Sequence, residues 1–528
     1  MLVAIGSPAL AGYSLAITRL NGRWLSRQFL DLRFPNKADI PLVFSVLQHV
    51  PFRIEVSGSL LPSLIVLPQN DRYWKLLGVA AKRTRQWSIP VAMNILWAVV
   101  AFLFTFVDSI ADLNSFYSIP GDAGYSINAI WTYLLPVVVG WLYVGSQPEP
   151  SHLHDALNDA HETAYVATAS EPVLATRVIG RSTRAIEPST KHIDYANADE
   201  KKSAPVFNYA RVFIWSQHAE HLLRLYQRAA AKAEHRIPVR PGDWMGDEDG
   251  TIAGHSRVGN EAEVIRYCTE DPKAIAYHSP RNEFFQFPTP LTPHSAFPPS
   301  PEPSTTVFSM GRAYSDTNTF VQRGSPNGSS KYDEETLSTG LWGVPKKPVF
   351  ATGVFQRVVF ATVLALGLQW GTTGAAILIH LNTPPKGIGC RGLTFIIFGT
   401  AGTTAFLLLL FSSVLAHLTR RQNASEKRSY MKTFIGCVAA FTRWLGKLIA
   451  IANAFMILAS CIAQFAGVYD NCFCSSTTFV GHSSRVVAFT PSHVQGSQVY
   501  WYWIGGTVIA FGVSGFYSFA IYIATPMG

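Results

Sequence analysis

Charge is scarce in this chain. Only 15% of its 528 residues are Asp, Glu, Lys or Arg, against about 25% in an average soluble domain. A soluble chain of this length would divide into several domains with charged surfaces. A content of 48% hydrophobic residues and a mean hydropathy of +0.16 do not fit one. Cysteine is scarce too. Cys268, Cys390, Cys437, Cys461, Cys472 and Cys474 are too few for a disulfide scaffold, and none has the CxxC spacing of a zinc ribbon. No P-loop, dinucleotide-binding glycine fingerprint, GxSxG elbow or HExxH pair occurs. Asp247–Gly250 (DEDG) resembles part of a calcium loop, but with Gly250 sixth, positions one and twelve are Met245 and Ser256, so both key carboxylates are missing. The sequence therefore predicts no catalytic site, no cofactor and no metal.

The apolar residues are gathered into blocks long enough to cross a bilayer, which takes about 20 residues of helix. Blocks at 88–107, 124–145, 354–380, 393–418, 445–469 and 499–523 read as transmembrane helices. Residues 1–18 are a marginal seventh, about 27 Å long at 1.5 Å per residue. Pro136 predicts a kink in the second block. Trp131, Tyr133, Trp141 and Tyr143, with Tyr500, Trp501, Tyr502 and Trp503, read as interfacial belts. The fold expected is an all-α membrane protein: a polytopic helical bundle of six transmembrane helices, or seven if 1–18 cross, with a long, partly disordered polar insert. Its regions are 1–87, which holds two short apolar stretches broken by proline; the helix pair 88–145; the insert 146–351; and four helices in 352–528. Within the insert, 206–234 reads as an amphipathic helix with Phe207, Ala210, Ile214, Leu222, Leu225 and Ala229 near one face. Residues 279–348, rich in Pro, Ser, Thr and Gly, read as disordered.

The net charge of +9 follows this topology. Lys and Arg crowd 72–87 and 419–433, whereas 108–123 has none and carries Asp108, Asp112 and Asp122. The positive-inside rule puts 19–87, the insert, 419–433 and the C-terminus in the cytoplasm. No aromatic–basic RNA motif accompanies the charge, so nucleic acid is not an expected partner. Cys390, Cys472 and Cys474 then share the oxidising side, where Cys390 would bridge Cys472 or Cys474 and leave one thiol unpaired. The sequons at Asn327 and Asn423 fall on the cytoplasmic side and would stay unmodified.

Several polar residues invite a functional reading. His152, His154 and His161, with Asp155, Asp159 and Glu162, form the densest ligand-type cluster, but His154 and His161 would lie about 10 Å apart along a helix. A solvated helix face is the simpler account, as it is for His218 and His221. Arg443 and Lys447 adjoin the fifth block and read as contacts to lipid headgroups, with 434–441 leading in along the interface. Gln369, His380, Asn453 and Gln464 lie within or near spans. They serve interhelical hydrogen bonds or line a transport pathway. Gly367, Gly371, Gly505, Gly506, Gly512 and Gly515 read as close helix packing, within the chain or in an oligomer. Ser279, Thr289, Thr292, Ser300 and Ser325 each precede proline and are expected phosphorylation sites.

The stretches 7–24 (SPALAGYSLAITRLNGRW), 131–150 (WTYLLPVVVGWLYVGSQPEP), 387–393 (GIGCRGL) and 443–474 resemble uncharacterised multi-pass membrane proteins of filamentous fungi. The resemblance implies a membrane protein and no activity. Such proteins carry more spanning chain before the SPALAGY-like stretch, which implies a shortened N-terminus here. The function expected is a non-enzymatic membrane scaffold or regulatory component, meeting the lipid bilayer directly and cytosolic partners through 146–351. The alternative is a transporter or channel for a small molecule or lipid. The long spans favour the plasma membrane over internal membranes.

Overall fold

The computed structural model describes residues 2–54, 58–83, 93, 96, 121–144, 150–178, 184–188, 195–202, 204–242, 244–246, 251–270, 353–383, 387–423, 430–466, 468–469 and 498–523. Several expectations lie outside them. These are the helix at 88–107 but for two residues, the segment 279–348 with Ser279, Thr289, Thr292, Ser300 and Ser325, and the cysteines Cys472 and Cys474.

Four helices among the described residues are long and apolar enough to cross a membrane, by length and composition. They are α11 (Gly353–Leu381), α12 (Cys390–Asn423), α13 (Tyr430–Phe465) and α14 (Gln498–Ile523). Large apolar side chains such as Val363, Phe411, Trp444, Phe455, Ile462 and Phe516 stand exposed on their outer faces. A hydrocarbon solvent covers such a surface, whereas water would drive it to aggregate. The interfacial helix expected at 434–441 is instead the first part of a continuous α13.

Six or seven spans are not supported. Residues 1–18 do not form a peripheral crossing helix. They form α1 (Leu2–Gly6) and α2 (Pro8–Leu30), broken at Ser7. Every residue from Pro8 to Thr18 is buried. Over this stretch α2 is enclosed by protein, packing on α11, α12 and α14. Its small residues allow this: Gly12 lies against Ala365 and the Tyr517 hydroxyl. The block at 124–145 also divides, into α6 (Gly121–Trp131) and α7 (Leu134–Val144), and its apolar part Ser126–Leu142 is short. Pro136 has no N–H to return to the Thr132 carbonyl. That carbonyl accepts instead from Leu135 N at 3.3 Å and the Ser514 hydroxyl at 3.5 Å. Tyr133 and Trp503, expected at interfaces, are buried and bonded inward.

The other described elements form an extramembrane domain. It contains α3 (Asp39–Leu47), β1 (Phe52–Ile54), α4 (Leu60–Val66), α5 (Asp71–Arg83), α8 (Pro150–Glu162), the hairpin β2 (Tyr165–Val166) and β3 (Val173–Leu174), β4 (Ile186–Pro188), α9 (Asn208–Glu234) and α10 (Glu261–Thr269). One hydrophobic core gathers residues from Leu25 to Cys268, so 19–83 and 150–270 fold together. β1 pairs antiparallel with β4, Arg53 opposite Glu187. Arg257 donates two bonds to the Asp71 carboxylate, at 2.8 and 2.7 Å, locking α5 to the chain before α10. Asn260 and Glu263 form a capping box that starts α10.

The amphipathic helix expected at 206–234 forms as α9, but as a core element rather than a presented one. Tyr209, Val212 and Phe213 sit in the bundle core, while Trp215, Leu222, Tyr226, Ala229 and Ala233 sit in the extramembrane core. α2 is divided in the same way: Ala9–Ile17 belong to the bundle, Leu25 and Phe29 to the domain.

Candidate functional site

The break between α1 and α2 arises from local sequence. Ser7 precedes Pro8, the pairing of a helix N-cap with proline at the first helical position. The Ser7 hydroxyl accepts from Leu10 N at 3.3 Å and donates to the Gly402 carbonyl at 2.8 Å. A break inside an apolar bundle leaves backbone groups that must be bonded by side chains. Gln369 and Asn453 supply the bonds. Gln369 accepts from Ala9 N through Oε1 at 2.9 Å, and its Nε2 donates to the Gly399 carbonyl at 2.6 Å and the Thr403 hydroxyl at 3.0 Å. Asn453 Nδ2 donates to the Gly6 carbonyl at 2.7 Å and the Phe398 carbonyl at 3.0 Å. The Tyr133 hydroxyl, from the α6–α7 break, donates to the Ile5 carbonyl at 3.2 Å. The two interrupted helices therefore meet.

Their depth follows from helix geometry. Gln369, Gly402 and Asn453 each lie 12 residues, roughly 18 Å, from the end of their helix far from the extramembrane domain. Gln464 does not join them. It is 11 residues, roughly 16 Å, further along α13 than Asn453. It is 1% exposed, with neither amide atom bonded among the described residues. Among the three spanning amides, the structure brings together two.

A second polar layer joins bundle to domain. Asp199, 1% exposed, accepts from the Tyr209 hydroxyl and from Lys447 Nζ of α13, with Lys202 Nζ at 4.0 Å. Burial and then the Asp199 charge push the Tyr209 phenol well above its usual value, so it remains a donor. Arg211 donates to the carbonyls of Gln48 (2.9 Å), Glu200 (3.3 Å) and Lys202, and to Asn208 Oδ1 at 2.6 Å. Burial lowers its guanidinium to about 10, against the opposing fields of Glu200 and Asp199. Asn208 Nδ2 donates in turn to the Thr18 hydroxyl of α2 at 2.7 Å. Lys447, expected at lipid headgroups, forms an internal ion pair with Asp199, and Arg443, one turn earlier, is buried.

The remaining candidates are dispersed. α8 packs Leu153, Leu157 and Ala160 inward and exposes Asp155, Asp159 and Glu162. No group of three His, Cys, Asp or Glu that could hold a metal ion occurs among the described residues. His218 is buried against Phe52 at 5.3 Å. Cys390 is disulfide-bonded, while Cys268, Cys437 and Cys461 are free thiols. Gly371 and Gly506 mark close packing of α11 on α14, but Gly367, Gly505, Gly512 and Gly515 face nothing within 4 Å among the described residues. Asp199 and Arg211 carried no sequence motif. The Ser7–Pro8 pair was the one local signal for the break.

Compared with known proteins, the chain matches no family model, no curated protein and no solved structure.

Proposed function

We propose that this chain is a multi-pass, non-enzymatic membrane protein of regulatory or scaffolding type, in which events inside the bilayer are coupled to the extramembrane domain. The observation that carries this is the course of α2 and α9, each contributing to both hydrophobic cores. A buried helix shared by two cores cannot shift in one without disturbing packing in the other. The Asp199–Lys447 pair adds a second tie. By the positive-inside rule the domain lies in the cytosol, where partners meet it and the Ser-Pro and Thr-Pro sites at Ser279, Thr289, Thr292, Ser300 and Ser325 receive phosphate. Cys390 bridges Cys472 or Cys474 on the opposite side, and the plasma membrane is the favoured site.

The test is hydrogen exchange on the full chain in lipid nanodiscs. Gln369→Leu and Asn453→Leu orphan backbone groups at the α1–α2 break. Faster exchange in α9 and α10 is expected alongside faster exchange in α1 and α2. A response confined to the bundle would remove the coupling reading.

The interrupted helices favour one second reading, a transporter, because irregular backbone near the bilayer midplane is how many carriers build a substrate site. The occupancy of Gln369 and Asn453 by backbone partners makes it the weaker one. A solute flux in proteoliposomes that both substitutions abolish would reverse the order.

A further inference from the structure

Among the described residues, a buried arginine at the start of α11 is left without an acceptor. Arg357 is 8% exposed, and its Nε, Nη1 and Nη2 make no hydrogen bond. An Arg guanidinium carries five N–H donors, and leaving such a group dry and unbonded is strongly unfavourable. It packs over an aromatic face, the Trp24 ring of α2, with Cζ 4.1 Å from the centroid. That contact leaves the edge donors unused. Glu220 of α9 lies within electrostatic reach, but it is engaged with Arg224 at 3.8 Å and makes no bond to Arg357.

The place is suited to an anion on a second ground. Helical side chains lean toward the N-terminus, and Arg357 Nη1 lies 3.9 Å from where a β-carbon on Gly353 would be. The guanidinium therefore sits at the first turn of α11, whose leading N–H groups have no acceptor within the helix. The positive end of a 29-residue helix is added to a full positive charge. The level is also telling. α14 ends close by, where Arg23 donates to the Ile523 carbonyl at 2.7 Å, so apolar bundle gives way here to polar domain.

We propose that Arg357, the first turn of α11 and Trp24 form a binding site for a phosphate group at the membrane face nearest the extramembrane domain. A guanidinium fork matches two phosphate oxygens, and Trp24 fixes its plane. The phosphate belongs either to a phospholipid headgroup or to a free phosphate. The lipid case rests on the membrane reading above; the free-phosphate case does not.

Native mass spectrometry of the detergent-solubilised full chain tests this with three probes: phosphatidic acid, diacylglycerol as its phosphate-free counterpart, and inorganic phosphate. Arg357→Gln and Arg357→Lys are compared with the unaltered chain, with far-ultraviolet circular dichroism as the folding check. The unaltered chain should retain one more phosphatidic acid molecule than Arg357→Gln, with at least tenfold tighter binding. Diacylglycerol should show no difference, and Arg357→Lys, which keeps charge but loses the fork, should fall between. A response to inorganic phosphate that Arg357→Gln abolishes, without the lipid difference, assigns the site to a free phosphate. Equal binding of both phosphate probes by the unaltered chain and Arg357→Gln overturns the proposal. If Arg357→Gln does not fold, Arg357→Lys decides: affinity unchanged from the unaltered chain overturns it, and a several-fold loss supports it.

Discussion

Removing Lys447 from Asp199 should loosen the extramembrane domain from the bundle, by an amount the burial of the pair sets. Asp199 is 1% exposed, while the Lys447 side chain is 21% exposed. Breaking a fully buried pair by deleting one partner costs about 3–5 kcal/mol. Here the penalty is smaller. Tyr209 still donates to the carboxylate, and Lys202 at 4.0 Å approaches it. Lys447→Met should therefore cost about 2–3 kcal/mol in local stability. Asp199→Asn should cost about 1–2 kcal/mol, because the orphaned ammonium reaches water along its flexible stem. Because the two groups meet, the double substitution should cost far less than the sum, giving a coupling energy of about 2 kcal/mol. Hydrogen exchange in α9 reads this directly, since each 1.4 kcal/mol is tenfold. Lys447→Met should speed exchange at the start of α9 roughly 30- to 150-fold. Additive single effects, with coupling under about 0.5 kcal/mol, would refute the reasoning.

Three further outcomes follow from burial. Burial, followed by Arg224 and Arg228, lowers the His221 imidazole to about 4. Its folded value thus lies below the unfolded one of about 6.5. The stability it confers is full above that pH and is lost as pH falls toward 4, by up to roughly 3 kcal/mol. Thermal unfolding should steepen with acid over this window and flatten in His221→Gln; an unchanged profile contradicts the account. At Gly6 a β-carbon would overlap the Ala450 carbonyl of α13. Gly6→Ala should destabilise by about 1–3 kcal/mol, whereas Gly512→Ala, with nothing within 4 Å, should not; equal melting temperatures would sink the packing argument. Cys268 is fully buried and cannot report sidedness, so exposed Glu171 is the position for an introduced thiol. In sealed cells Glu171→Cys should resist an impermeant maleimide until permeabilised, and immediate labelling would place the domain outside.

Much of the fold was legible because solvent chemistry writes itself into composition. The helices at 354–380, 393–418 and 499–523 appear within a few residues of their expected bounds, since an unbroken apolar run has one stable form in hydrocarbon. α13 begins well before 445, because the apolar stretch from Thr433 is separated from the later run by Arg443 and Lys447, whose charges read as the edge of the membrane part. The polar site was half legible. Gln369 and Asn453 stood out as amides in apolar surroundings, but nothing near them announced that their partner was the backbone between Gly6 and Ala9.

The sequence by itself determined the medium and the elements: apolar helices, a polar region between them and a kink at Pro136. Tertiary structure alone decided which helices face lipid and which face protein. Lipid tails are as apolar as leucine, so an apolar face carries no mark of its neighbour. That is why residues 1–18 read as a marginal span, whereas Pro8–Thr18 proved to be interior. The same limit hid the pairing of Phe52–Ile54 with Ile186–Pro188 and of Lys447 with Asp199, 248 residues apart. Such contacts are specified by complementary positions in space, and no local window of sequence contains both halves.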